Sequence, residues 1–114
     1  MEQGIIRIAA STAQPLAIDA TQNADLLVAS CLAAAAQGDI AAYYDLGVAY
    51  STGSHGVGCD LIEAHKWFNL AAVSGHAESA WCRADIAEEM TAREIAEAQR
   101  RAREWLSAGA KRAA

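Results

Sequence analysis

Proline is almost missing from this chain: Pro15 is the only one in 114 residues, so everything after it runs without the residue that removes helix hydrogen bonds. Aromatic side chains are scarce too, at 6 %, although hydrophobic residues make up 54 %. Alanine fills the gap. It favours helix and lets helices approach closely, but each alanine buries little area, so Trp67, Phe68, Trp105 and the tyrosines must supply much of any core. No stretch reaches the roughly 20 apolar residues that a membrane span needs. The N-terminal run of Ile5, Ile6, Ile8, Ala9 and Ala10 is interrupted by Arg7 and is too short for the apolar core of a signal peptide.

Cysteine is limited to Cys31, Cys59 and Cys82, an odd number without a C-x-x-C spacing; reduced thiols in a cytoplasmic protein are the expectation. Positive charge is short as well. Nine Lys and Arg face fourteen Asp and Glu, for a net charge of −5, which argues against a nucleic-acid backbone as partner. The deficit is uneven. Three basic and eleven acidic residues through Thr91 give −8, whereas six basic and three acidic from Ala92 onward give +3. A chain of this length provides for one core rather than a multi-domain enzyme.

What is present is helical periodicity. Residues 1 to 18 show none and read as a flexible arm. From 19 to 114 the pattern predicts an all-α domain of about five helices, near 20–37, 39–52, 60–74, 76–90 and 92–108. Ala42, Leu46 and Tyr50 share one face of the second; Ala64, Trp67, Phe68 and Ala71 share one face of the third. Asp19 with Gln22, Asp60 with Glu63 and Thr91 with Glu94 have the spacing of capping boxes. Gly38 and Gly75 stand where helices should stop, and the turn between the second and third helices holds Gly53, Gly56 and Gly58. Ile95, Ala98, Ala102, Trp105 and Leu106 mark one apolar stripe on the fifth helix.

The chain also repeats itself. Ala34, Ala35 and Gly38 match Ala71, Ala72 and Gly75 at an offset of 37, and Ala64, Trp67, Phe68 and Ala72 match Ala102, Trp105, Leu106 and Ala110 at an offset of 38. Such periods mark helical solenoids. Between Gly38 and Gly75 the series Ala42, Leu46, Gly47, Tyr50, Gly53, Gly56, Val57, Asp60, Ala64, Trp67, Ala71, Ala72 and Gly75 resembles the Sel1-like repeat, a tetratricopeptide-like unit. The resemblance covers residues 38 to about 110 and is strongest through Gly75. It implies a short right-handed solenoid of αα-hairpins, with a half repeat before residue 38, a full repeat at 38–75 and a degenerate repeat after it. In that last copy Ala84 replaces Leu46 and Glu88 replaces Tyr50.

Several residues invite a chemical reading. His55, Cys59, His65 and His76 are metal-ligand types, but no fourth ligand has zinc-motif spacing, and His65 falls on the polar side of its helix; surface histidines and no metal are the expectation. Gly53 to Gly58 lacks the preceding strand and the lysine of a phosphate loop, so it reads as a turn. Neither a Ser-His-Asp nor a Cys-His constellation emerges from spacing, and no cofactor is implied. The basic cluster Arg100, Arg101, Arg103, Lys111 and Arg112 reads as a solvated helix face, with Glu97 placed to pair with Arg101.

The expected function is a non-enzymatic adaptor that presents a concave helical surface to a peptide or protein partner, as the resemblance implies; a small enzyme or metal- or ligand-binding protein using the His and Cys residues is the alternative. The candidate surface is a stripe of Tyr44, Val48 and Ser51 on the second helix, continued by Trp81 and Asp85 on the fourth, with the acidic groups of Asp45 and Asp85 at its edge. An apolar anchor plus a basic residue would suit it. Tyr43 and Trp81 could equally fill gaps between hairpins. Leu26, Leu27 and Leu32 outnumber what one inward stripe needs, so a homodimer, or the N-terminal arm, is the expected cover for the surplus.

Overall fold

The computed structural model describes residues 27–54 and 56–113, with side chains through Gly109 apart from residue 55. The expected arm, the Asp19–Gln22 cap, Leu26, His55 and the side chains of Lys111 and Arg112 lie outside the described residues. α1 is helical across 27–36; α2 (Ile40–Thr52), α3 (Leu61–Val73), α4 (Ala77–Ala87) and α5 (Ala92–Ala113) follow. Among the described residues there is no strand. The described part of the chain is therefore all-helical.

Local chemistry sets the boundaries. Asp39 accepts hydrogen bonds from the amides of Ala41 and Ala42 and starts α2. Asp60 accepts from the Glu63 amide at 3.1 Å and starts α3. Glu63 does not reach back to complete that box; its carboxylate is taken by Lys66 and Arg101, while the Asp60 amide donates to the Tyr50 carbonyl at 2.9 Å. Thr91 and Glu94 form both halves of theirs, at 3.1 and 2.8 Å. His76, expected to be an ordinary surface residue, caps α4: its Nδ1 accepts from the Ser79 amide at 3.2 Å and lies 2.7 Å from the Ser79 hydroxyl.

The two matched helix ends close in the same way. Gly38, at φ 84°, donates to the Ala35 carbonyl and Asp39 to that of Ala34; Gly75, at φ 106°, donates to Ala72 and His76 to Ala71. This is the Schellman arrangement, and it requires the left-handed backbone that glycine adopts without strain. The expected end of α5 near 108 is corrected: it continues to Ala113. Gly109 costs about 1 kcal/mol relative to alanine within a helix, and with the flanking Ala108, Ala110, Lys111 and Arg112 all good helix formers, that cost does not end it.

α3 is the centre of the molecule, packed against α2, α4 and α5. It buries Ala64, His65, Trp67, Phe68, Leu70 and Ala71. The Trp67 ring stacks on Tyr43 of α2, 6.0 Å between centroids, and meets Trp105 of α5 edge-on at 4.9 Å; the Trp105 indole N–H donates to the Tyr43 hydroxyl at 3.3 Å. These three rings tie three helices together. Ala42 and Leu46 are buried on the expected face of α2. Two expectations fail. His65 is buried rather than on a polar side, because α3 has neighbours on three sides and α4 covers the flank beside the Trp67 stripe. Leu106 is 51 % exposed, although its counterpart Phe68 is buried.

Candidate functional site

The proposed surface residues fall on three parts of the helical face rather than on one continuous strip. Tyr44 is half-buried and turned toward α4: its hydroxyl donates to Glu78 Oε2 at 3.0 Å, and its ring contacts His76 at 4.9 Å and Phe68 at 5.9 Å. Holding that proton against a carboxylate pushes the Tyr44 phenol above its ordinary value of 10.0, with burial adding to the effect. Val48 and Ser51 are half-buried on the same flank, and the Ser51 hydroxyl donates back to the Val48 carbonyl. Tyr44 makes no ring contact with Trp81 among the described residues.

Asp45 belongs to the opposite flank of α2. With Leu46 and Ala49 it lines a cleft of about 230 Å³ whose other wall is Leu27, Val28 and Cys31 of α1. Burial pushes the Cys31 thiol up from 9.0, and the carboxylates of Asp45 and Asp39 add to it.

Trp81 and Asp85 stand on the outward side of α4. Trp81, which could have filled a gap between hairpins, is 76 % exposed. Ala77, Glu78, Trp81, Ala84, Asp85 and Glu88 are all exposed and recur at helical spacing, making one stripe. No cation pairs with Glu78, Asp85 or Glu88 among the described residues. Arg83, the one base on α4, turns inward to Asn69 Oδ1 at 2.6 Å. A large bare aromatic thus sits among three unneutralised carboxylates. Trp81, one of the expected surface residues, is bare although its counterpart at the offset of 38, Tyr43, is buried.

The remaining candidates have structural work. The His65 ring is buried with no partner for Nδ1, and desolvation, reinforced by Arg83, lowers it from 6.5. Burial pushes the Cys82 thiol up, helped by Glu78 and Asp85; Cys59 is exposed and touches the Ser51 carbonyl. Among the described residues no three His, Cys, Asp or Glu gather as a metal would require, and no helix is long and apolar enough to cross a membrane.

A second cleft, of about 420 Å³, lies between α3 and α5. Its charges are mutually satisfied: Arg101 bridges Glu63 at 2.7 Å and Glu97 at 2.8 Å, Arg100 holds Glu97 and Glu104, and Lys66 sits 4.2 Å over the Trp67 ring. The expected Glu97–Arg101 pair is thus formed. Hydrogen bonds from Arg100 and then Arg101 hold the Glu97 carboxyl down to about 2. Comparison of the chain with protein-family models, with curated proteins and with solved structures finds no match.

Proposed function

We propose that this chain is a non-enzymatic interaction module, a short cytoplasmic solenoid of Sel1-like helical hairpins that binds a peptide or protein segment on its α4 face. The observation that carries the reading is Trp81, 76 % exposed with Glu78 and Asp85 beside it. Tryptophan contributes the largest rigid contact area of any side chain and is enriched among residues that dominate binding energy. Bare carboxylates around it select against acidic partners and favour arginine or lysine, whose cation also stacks on an indole face.

The repeat reading draws support from the matched helix ends at Gly38 and Gly75 and from the Tyr43–Trp67 stack that binds the full repeat together. Raised thiols at Cys31 and Cys82 hold less thiolate at neutral pH, which favours binding over nucleophilic chemistry. Three free thiols favour the cytoplasm. The expected partner segment carries one large apolar anchor for the Trp81 face and at least one basic residue for Glu78 or Asp85. Tyr44, by holding Glu78, fixes one of those carboxylates in place.

A displayed library of random peptides, selected on the wild-type protein, tests the reading. Selected sequences should share an apolar residue close to arginine or lysine, and binding should weaken as salt rises. Trp81→Ala should cost about 2 kcal/mol or more of the affinity. Peptides without a basic residue that bind Trp81→Ala as well as wild type would refute it.

A further inference from the structure

The exposed Trp81 face has a buried counterpart in the first hairpin. At the offset of 38, Trp81 stands where Tyr43 stands, Asp85 where Gly47 stands and Leu106 where Phe68 stands. In the first hairpin these positions are shut: Tyr43 and Phe68 are 5 % and 2 % exposed, and a β-carbon at Gly47 would lie 2.5 Å from the Phe68 ring. In the second they are open, with Trp81 and Leu106 both largely exposed. α4 and α5 each pack on α3 and scarcely touch one another.

The exposed stripes of α4 and α5 are opposite in charge. On α4, Trp81 and Ala84 are flanked by Asp85 and Glu88; on α5, the exposed stripe of Ala92, Ala96, Gln99, Arg103 and Leu106 carries Arg103 beside Leu106, with Arg93 near its start. Arg93 and Arg103 have no ion pair among the described residues. A two-fold axis brings each patch of one subunit against the other patch of its mate, so a chain with one acidic and one basic stripe is self-complementary.

Building on the reading of Trp81 as an interaction surface, we propose that its partner is α5 of a second copy of this chain. In the resulting symmetric pair Leu106 of each subunit rests on Trp81 of the other, and Arg103 reaches Asp85 or Glu88. The α5 stripe has the chemistry the α4 face calls for, an apolar anchor next to a base.

Sedimentation equilibrium on the full chain, with two charge-reversed variants, tests the pairing. One carries Arg93→Glu and Arg103→Glu; the other carries Asp85→Lys and Glu88→Lys. All four positions are exposed, so circular dichroism should show unchanged helicity. Wild type should dimerise, and its Trp emission should shift to shorter wavelength as concentration rises, a shift absent in Trp81→Phe. Each variant alone should lose about tenfold or more in self-affinity, and an equimolar mixture of the two should recover a heterodimer, since each stripe then meets its opposite. A wild type that stays monomeric, or a mixture that fails to recover association, overturns the pairing. If that monomer still binds library-selected peptides through Trp81, only the self-pairing falls; if Trp81 also proves irrelevant to peptide binding, the interaction surface itself falls with it.

Discussion

Gly47 of α2 and Phe68 of α3 are in contact so close that a β-carbon on the glycine would lie 2.5 Å from Cδ1 and 2.9 Å from Cγ of the ring. Phe68 is 2 % exposed, so the ring cannot move aside into solvent. Gly47 is therefore a packing residue, and its substitution should behave as overpacking.

Gly47→Ala should destabilise the chain even though alanine is worth about 1 kcal/mol more than glycine within a helix. Overpacking a filled core costs about 1–3 kcal/mol, and a clash at the root of a ring belongs to the upper part of that range. Urea melts should show a net loss of about 1–2 kcal/mol, largely recovered when Phe68→Leu is added. A stabilised single variant would mean that α2 and α3 are not this close.

Trp67→Ala and Trp105→Ala should differ. Trp67 is buried between Tyr43 and Trp105 and should cost about 3–5 kcal/mol. Trp105 is half-buried and should cost less, about 1–3 kcal/mol, through its lost edge contact and its bond to Tyr43. Equal losses in denaturant melts would contradict the central position of α3.

His65 should make stability fall in mild acid. Its folded value is lowered below 6.5 by burial and then by Arg83. Above 6.5 the ring is neutral in both states and nothing is lost; as pH falls through 6.5 the unfolded chain takes up the proton first, and stability declines until the lower folded value is reached. His65→Gln should flatten this part of the pH profile relative to wild type. Parallel profiles would show that His65 titrates normally.

Glu97 should remain ionised far into acid. Arg100 and Arg101 hold its carboxyl down to about 2 from 4.5, so the stabilisation it contributes is present above 4.5 and is lost as pH falls from there toward 2. A carboxyl carbon titration by NMR should place it well below the other glutamates, and high salt should move it back up because the pair is exposed. A titration near 4.5 at low salt would contradict the network.

Much of this architecture was legible from single residues. Glycine at 38, 53 and 75 marked the turns, where φ is 84°, 73° and 106°, and Asp60 and Thr91 marked helix starts. The failures at His65 and Leu106 share one cause: periodicity reports which residues share a face but not how many neighbours cover a helix. His65 looked polar-facing because one stripe, around Trp67, was read as the whole buried surface of α3. Leu106 looked buried because Phe68 is. The close approach of Gly47 to Phe68, which helps bury the ring, is visible only once α2 and α3 are placed. The candidate surface was legible as a set of types, but Tyr44, Asp45 and Trp81 belong to three flanks, set by how α2 and α4 are rotated against α3.

The most direct test of the account is amide and indole chemical-shift mapping while a library-selected peptide is titrated into the isotope-labelled chain. The largest shifts should fall on the Trp81 indole and on the backbone of Glu78, Asp85 and Glu88, with the Trp67 indole unmoved in its buried place. Shifts confined to α1 and the Asp45 cleft, with the Trp81 indole unchanged at saturation, would contradict it.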